Sequence, residues 1–134
     1  MDRLRQRAVA ARLKHMEPVG IHHVSLNVSD VPAGVRFYLD VLGGTARDDR
    51  PAFSFDGAWI DFGDQQVHLI EAAVPENLGQ HFALKVRDLD AAVRELRAKV
   101  VAVSDPVAVG SGRQAFVNDP FGNTIELHEV GAGA

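Results

Sequence analysis

Apolar and polar positions follow two different periods along this chain, and together they predict strands and helices in a fixed order. Residues 21–28 alternate and are rich in β-branched side chains, which predicts a strand. Ser29-Asp30 is a helix-capping signal, residues 31–42 have helical spacing, and Gly43-Gly44 ends that helix. Three shorter extended segments follow, at about residues 45–50, 58–62 and 66–71. The first half is therefore predicted to be a β-α-β-β-β unit.

An internal repeat predicts that the second half has the same organisation. His, Leu, Val, Asp, Ala, Val and Arg recur at matching places in residues 23–36 and 81–94, at an offset of 81 − 23 = 58. Carried forward without a gap, this offset pairs Asp61 with Asp119. Because one offset serves both ends of the unit, the pattern indicates duplication.

The second unit gives its own element predictions. A strand at residues 80–87 leads into a helix at 88–99 that Asp88 caps. Further strands are predicted near residues 100–103, 114–117 and 124–129. The glycine-containing segment 107–113 is interpreted either as a loop that closes over the site or as a simple hairpin.

The elements define an α+β fold of two tandem βαβββ modules, which form a cup-shaped mixed sheet with the helices packed outside. We expect one domain at residues 20–130, with modules at about 20–74 and 79–130. Residues 1–19 are interpreted as a basic leader that is helical or disordered, and residues 131–134 as a frayed tail.

Composition removes several classes of function. Lys+Arg 14 against Asp+Glu 18 gives a formal net charge of -4, which argues against a nucleic-acid partner. We expect neither a secretory signal nor a membrane span, because no continuous apolar run follows the basic N-terminal stretch. Having no cysteine, the chain can use neither thiolate chemistry nor Cys-ligated metals, and its composition is compatible with the expected cytoplasmic location.

Strand parity places four chemistry-bearing side chains on matching faces. Apolar residues of each strand share the face under the helices, and the opposite face carries His23, His68, His81 and Glu126. The offset relates His23 to His81, and His68 to Glu126. Three imidazoles and a carboxylate suit one divalent ion, with Zn, Ni, Co, Mn and Fe all open. His22 falls on the apolar face and is predicted to be structural.

These motifs resemble the vicinal oxygen chelate superfamily, which includes glyoxalase I, dioxygenases and bleomycin-binding proteins, and within it a glyoxalase-like subgroup. The resemblance covers residues 20–130, with the opening strand, the helix segment 36–43 and the closing segment 118–128. It implies the glyoxalase-like fold, a homodimer, and a metal ion bound by the four residues named above.

The resemblance implies a lyase, isomerase or epimerase that acts on a small molecule with adjacent oxygens, with Glu126 as the catalytic base. One alternative leaves His68 out, giving an Fe(II) extradiol-type dioxygenase or a fosfomycin-type thiol transferase. Another is a non-catalytic protein that binds a drug or metabolite, as in bleomycin resistance. Candidate substrate contacts are Arg113, Trp59, Phe55 and His128, the last lying two residues beyond Glu126.

Overall fold

The computed structural model describes residue 3 and residues 15–131. The first module consists of β1 (His23–Val28), α1 (Val31–Arg36), β2 (Thr45–Ala46), β3 (Gly57–Phe62) and β4 (Gln65–Glu71). The second consists of β5 (His81–Lys85), α2 (Leu89–Ala98), β6 (Val107–Val109), β7 (Gly112–Asn118) and β8 (Thr124–Glu129). Of the predicted leader only residues 3 and 15–19 are described, and of the predicted tail only residue 131, so the rest of both predictions lies outside the described residues.

Each module forms one four-stranded mixed sheet. The strand orders are β1-β4-β3-β2 and β5-β8-β7-β6. In each sheet the first pair, β1 with β4 or β5 with β8, is parallel, and the other pairs are antiparallel. The α+β class and the paired βαβββ organisation are confirmed. Within the described residues, β1 and β5 are each hydrogen-bonded to a strand on one side only.

Capping residues fix where the two helices begin. Asp30 accepts a hydrogen bond from the Ala33 amide at 3.0 Å, and Asp88 does the same for Ala91 at 3.0 Å. The predicted helix at 31–42 changes its hydrogen-bonding pattern, since α1 ends at Arg36 and the chain continues as a π-helical segment, Phe37–Val41. Gly43, with a φ of 80°, ends this segment.

Two predicted strands are shorter than their patterns indicate. The segment at 45–50 is a strand only over Thr45–Ala46. The segment at 100–103 is reduced to a single bridge between Val103 and Val117, because Val100 has a φ of 61° and ends α2. The hairpin interpretation of residues 107–113 is confirmed, with β6 as a strand that the pattern did not predict.

The two modules share one hydrophobic core. It contains residues from both sheets and both helices, including Val28, Ile60, Leu69, Leu89, Ile125 and Leu127. No helix among the described residues combines the length and apolarity needed to cross a bilayer.

A buried carboxylate joins the closing turn of module two to the helix of module one. Asp119 is only 4% exposed and accepts a hydrogen bond from the Tyr38 hydroxyl at 2.9 Å. It also accepts bonds from the amides of Phe121 and Asn123 and from the Asn123 side chain. Asn123 in turn donates to the Asn27 carbonyl at 2.9 Å. This network fixes the β7–β8 turn against module one.

The register corrects one detail of the repeat. Asp61 lies opposite Gln66 and Asn118 lies opposite Thr124, so the structural counterpart of Asp61 is Asn118. The pairing of Asp61 with Asp119 was wrong, because the closing turn of module two is one residue longer than its counterpart. Asp119 thereby enters the turn, where it forms the buried network.

Candidate metal centre

In module one, two imidazoles lie in contact on the sheet face opposite the core, which we call the cup face. The parallel register places Ser25 opposite His68 and His23 opposite Gln66, so His23 and His68 share this face. Their rings are stacked, with centroids 3.9 Å apart and an interplanar angle of 11°. The other side of the His68 ring stacks on Trp59 at 4.5 Å. The predicted proximity of His23 and His68 is therefore present in the structure.

His68 is held in the form that a metal ion needs. Its Nε2 lies 2.7 Å from the Gln66 carboxamide oxygen, which assigns the proton to Nε2 and leaves a lone pair on Nδ1. Burial, followed by the nearby imidazole of His23, lowers the pKa of His68 to about 4. The ring is therefore neutral at pH 7, and a neutral imidazole is the metal-binding species.

In module two, an imidazole and a carboxylate form the corresponding pair. His81 Nε2 lies 3.2 Å from Glu126 Oε1, and His81 Nδ1 donates to the Gly79 carbonyl at 2.9 Å. The Gly79 carbonyl, and to a lesser degree Glu126, raises the pKa of His81. In the neutral ring, the Nε2 lone pair would face a carboxylate oxygen. A proton or a metal cation between these two acceptors makes the contact favourable.

His128 extends this pair along β8. Its Nδ1 lies 2.9 Å from the second oxygen of Glu126, so the carboxylate contacts an imidazole on each side. The Glu126 side chain is 12% exposed. Carboxylate oxygens can bind a cation or accept a proton, and the two imidazole contacts hold both of these oxygens in place.

The four candidate side chains have the right chemistry for a divalent metal ion. Within one chain, however, they form two separate pairs. Nitrogen and carboxylate oxygen are ligands of first-row divalent metals, and a His that donates its other N–H to a carbonyl is typical of metal sites. Among the described residues, no hydrogen bond or ring contact links His23 or His68 to His81 or Glu126. Nor do any three His, Asp or Glu side chains of this part of the chain gather as a metal-binding group.

The candidate substrate contacts differ in position. Trp59 lies on the cup face beside His68, and Phe55 lies in the segment before β3 with 43% of its surface exposed. Arg113 does not lie on the cup face. It is opposite Glu129 in the sheet register, and its guanidinium donates two hydrogen bonds to Asp90, at 2.9 and 3.0 Å. It therefore points to the helix-bearing side of module two, away from Glu126.

Two residues near the site were not predicted from the sequence. His22 was assigned to the apolar face by parity, but β1 begins at His23, and His22 Nδ1 lies 2.8 Å from His23 Nδ1. In the sequence, the only indication of this contact is that the two histidines are adjacent. The Arg50 guanidinium lies over the rings of Phe53 and Phe55, at 4.9 and 5.4 Å from their centroids. That contact depends on loop conformation, which periodicity does not report.

Comparison with known proteins gives a family match over most of the chain. Residues 20–127 match the family described as the Glyoxalase/Bleomycin resistance protein/Dioxygenase superfamily. The chain belongs to this superfamily. The match covers both modules and all four candidate ligands. Superfamily membership establishes the fold and the general type of protein, and leaves the reaction to be argued from the site.

The relatives and solved structures that this chain resembles carry different functions in their names. A lactoylglutathione lyase from Haemophilus influenzae is 31% identical, over 81% of this chain and 91% of its own. One from Arabidopsis thaliana is 30% identical, and the chain spans only 44% of its length. The crystal structure of TnmS3, an antibiotic binding protein from a Streptomyces species, has a TM-score of 0.75 at 28% identity, covering 87% of this chain and 99% of that one.

Proposed function

We propose that this protein is a metal-dependent enzyme of the glyoxalase type, with lyase, isomerase or epimerase activity on a small molecule that carries adjacent oxygens. One divalent ion, Zn, Ni, Co, Mn or Fe, would be held by His23, His68, His81 and Glu126. The observation that carries the proposal is the pair of ligand-type contacts at repeat-equivalent positions, one per module. The contact between His68 and His23 favours a set of four residues over the three-residue alternative.

The ion would supply Lewis acidity toward two neighbouring substrate oxygens, which makes a proton next to a carbonyl easier to remove. The chain itself supplies the group that removes it. Glu126 is the one carboxylate of the proposed set, and its ionised form can take the proton from carbon. His81 and His128 contact its two oxygens and orient it. These contacts support Glu126 as the catalytic base and His128 as a positioning residue.

The role of Glu126 is tested by Glu126→Gln, with Glu71→Gln as the matched control. Glu71 is an exposed carboxylate at the end of β4. The first activity to assay is the lactoylglutathione lyase activity named for the relatives. We expect Glu126→Gln to lower kcat by about a hundredfold or more, since general acid–base catalysis contributes on the order of 10² to 10⁴. Full turnover by Glu126→Gln with metal bound would remove this role.

A homodimer would bring the two pairs into one site. The outer edges of β1 and β5, which carry His23 and His81, have no strand partner among the described residues. A second copy could place module one of one chain against module two of the other. Mixing His23→Ala chains with Glu126→Ala chains tests this. Recovery of metal in mixed dimers supports a shared site, and no recovery with full dimer exchange would place each site within one chain.

One observation favours a second function, the sequestration of a drug or metabolite without chemistry. The exposed aromatic side chains Phe53 and Phe55 lie near the site, as expected of a surface that binds planar compounds. The likeness to an antibiotic binding protein points the same way. Metal analysis separates the two functions, since purified protein that takes up no ion after reconstitution favours sequestration.

A further inference from the structure

Three aromatic side chains form a cluster beside the candidate metal centre, which we call the aromatic cluster: Phe53, Phe55 and Trp59. The rings of Phe53 and Phe55 are parallel, with centroids 5.1 Å apart. The rings of Phe53 and Trp59 are 6.4 Å apart and inclined at 51° to each other. Phe53 and Phe55 are 45% and 43% exposed, so this apolar surface remains open to a ligand.

The cluster is joined directly to the proposed ligand set. Trp59 lies opposite His68 in the register of β3 and β4, and their rings stack at 4.5 Å. A molecule bound against Phe53 and Trp59 would therefore have one end next to His68. The cluster lies at the right place to hold the part of a substrate that does not react.

Arg50 adds a positive charge to the same surface. Its guanidinium covers the two phenylalanine rings and donates to the Phe55 carbonyl at 3.0 Å. Gly57 leaves room for it, since a Cβ at that position would meet the Leu69 carbonyl oxygen and lie 2.9 Å from Arg50 Nη2. Arg47, by contrast, is paired with Asp49 at 2.7 Å and Asp61 at 2.9 Å. Among the described residues, Arg50 forms no ion pair.

We propose that the aromatic cluster and Arg50 form a binding subsite for an aryl carboxylate or a closely similar aromatic anion. The ring of the ligand would pack against Phe53 and Trp59, and its negative charge would pair with Arg50. The inference rests on the proposed function only in assigning this ligand to the substrate position. The subsite itself is built from side chains that need no metal ion.

The chemistry of the cluster separates this ligand from others. Flat apolar rings favour an aromatic partner over an aliphatic chain, because a pair of rings gains more than the burial of its apolar area alone provides. A guanidinium favours planar carboxylates, with which it can form two parallel hydrogen bonds. A cationic ligand would be repelled by Arg50. An uncharged ring would leave the Arg50 guanidinium without an anionic partner.

Three small molecules test separately what the aromatic ring and the negative charge of the ligand contribute to binding. Phenylglyoxylate has a ring, a carboxylate and adjacent oxygens, pyruvate lacks the ring, and methyl phenylglyoxylate lacks the charge. Calorimetric titration of each into wild-type protein, with metal removed and with metal restored, gives their dissociation constants. We expect phenylglyoxylate to bind at least tenfold more tightly than either of the others under both conditions, since tenfold corresponds to about 1.4 kcal/mol.

Two variants assign the effect to named side chains. We expect Phe53→Ala to weaken phenylglyoxylate about fivefold to tenfold and leave pyruvate unchanged. Arg50→Gln should weaken phenylglyoxylate to the level of the ester and leave the ester unchanged. Val130→Ala serves as the control, because Val130 is comparably exposed at 43% and belongs to neither group.

The outcomes distinguish this inference from the proposed function. Equal binding of phenylglyoxylate and pyruvate by wild-type protein, in both metal states, would overturn the subsite. Ring-dependent binding that neither variant changes would also overturn it, by placing the ring elsewhere. Ring-dependent binding that both variants weaken, in a protein that takes up no metal, would support the subsite and count against the enzyme proposal.

Discussion

Residues of one type behave differently in this protein because their surroundings differ. Burial and a neighbouring imidazole lower the pKa of His68 to about 4. The Gly79 carbonyl and the carboxylate of Glu126 raise the pKa of His81 in the other module. Sequence parity predicts where both rings lie, but only the three-dimensional contacts determine which one keeps its proton.

The low pKa of His68 predicts a pH-dependent stability for the metal-free protein. The value falls from 6.5 to about 4 on folding, so the unfolded chain binds more protons between these pH values. The stability that the neutral His68 ring contributes is present above pH 6.5 and is lost as the pH falls toward 4. At pH 5, the loss from this group is about 2 kcal/mol. Urea denaturation at pH 7 and pH 5 measures it.

His68→Asn should flatten that dependence, because asparagine does not titrate. His15→Asn provides the control, since His15 is exposed. An unchanged pH dependence in His68→Asn would show that other groups cause it.

Val100 stores backbone strain where α2 ends. Its φ of 61° lies in the left-handed region, which a β-branched residue rarely adopts, and the side chain is 92% exposed. Glycine is the preferred residue at this position after a helix. We expect Val100→Gly to raise the free energy of unfolding by about 0.5–1 kcal/mol. The control is Val107→Gly, in an exposed strand, which should lower the free energy of unfolding. A lower free energy of unfolding in Val100→Gly would contradict the account.

At the level of elements, the sequence predicts best those segments whose own residues determine their structure. Strand β8 has the predicted bounds, and α2 begins after Asp88 as predicted. The predictions were less accurate where longer-range packing decides. Strand β2 ends at Ala46 although the extended pattern continues beyond it, and Phe37–Val41 widens into a π-helical segment. Periodicity describes a local preference and does not include such tertiary contacts.

The same limit applies to the candidate site. Parity placed His23, His68, His81 and Glu126 on the cup face, because strand alternation is a local property. It placed His22 on the other face, because the strand begins two residues later than predicted, so that His22 lies outside it. The sequence does not show that Arg113 pairs with Asp90 whereas Arg50 lies over two phenylalanine rings. The first contact joins distant parts of the chain, and the second depends on the conformation of a loop.

The buried network between the two modules predicts the effect of removing one hydroxyl group. Tyr38→Phe leaves Asp119 with one hydrogen bond fewer in a site that water does not reach freely. We expect a loss of about 1–3 kcal/mol in the free energy of unfolding, measured by chemical denaturation. Ser54→Ala removes an exposed hydroxyl and should change stability by less than about 0.5 kcal/mol. Equal effects of the two substitutions would mean that the Tyr38 contact does not stabilise the fold.

On the scale of the whole molecule, the repeat gives two similar sheets, each with half of the proposed ligand set. Neither half of that set would suffice alone, since its two donors leave most of a divalent ion's coordination positions to water. Under the proposed function, metal binding would depend on both modules at once, within one chain or between two. The repeat also leaves the aromatic cluster in module one free to differ from the corresponding surface of module two, where Phe116 contacts His81 at 5.5 Å.

Metal content in matched variants tests the central claim most directly. Wild-type protein, His23→Ala, Glu126→Ala and the control His15→Ala would each be stripped of metal, reloaded with each of the five candidate ions, dialysed and analysed for bound metal. We expect about one ion per chain in wild type and in His15→Ala, and little in either His23→Ala or Glu126→Ala, because each half of the set is needed. Full metal retention by either of those two variants, or none in wild type, would contradict the claim.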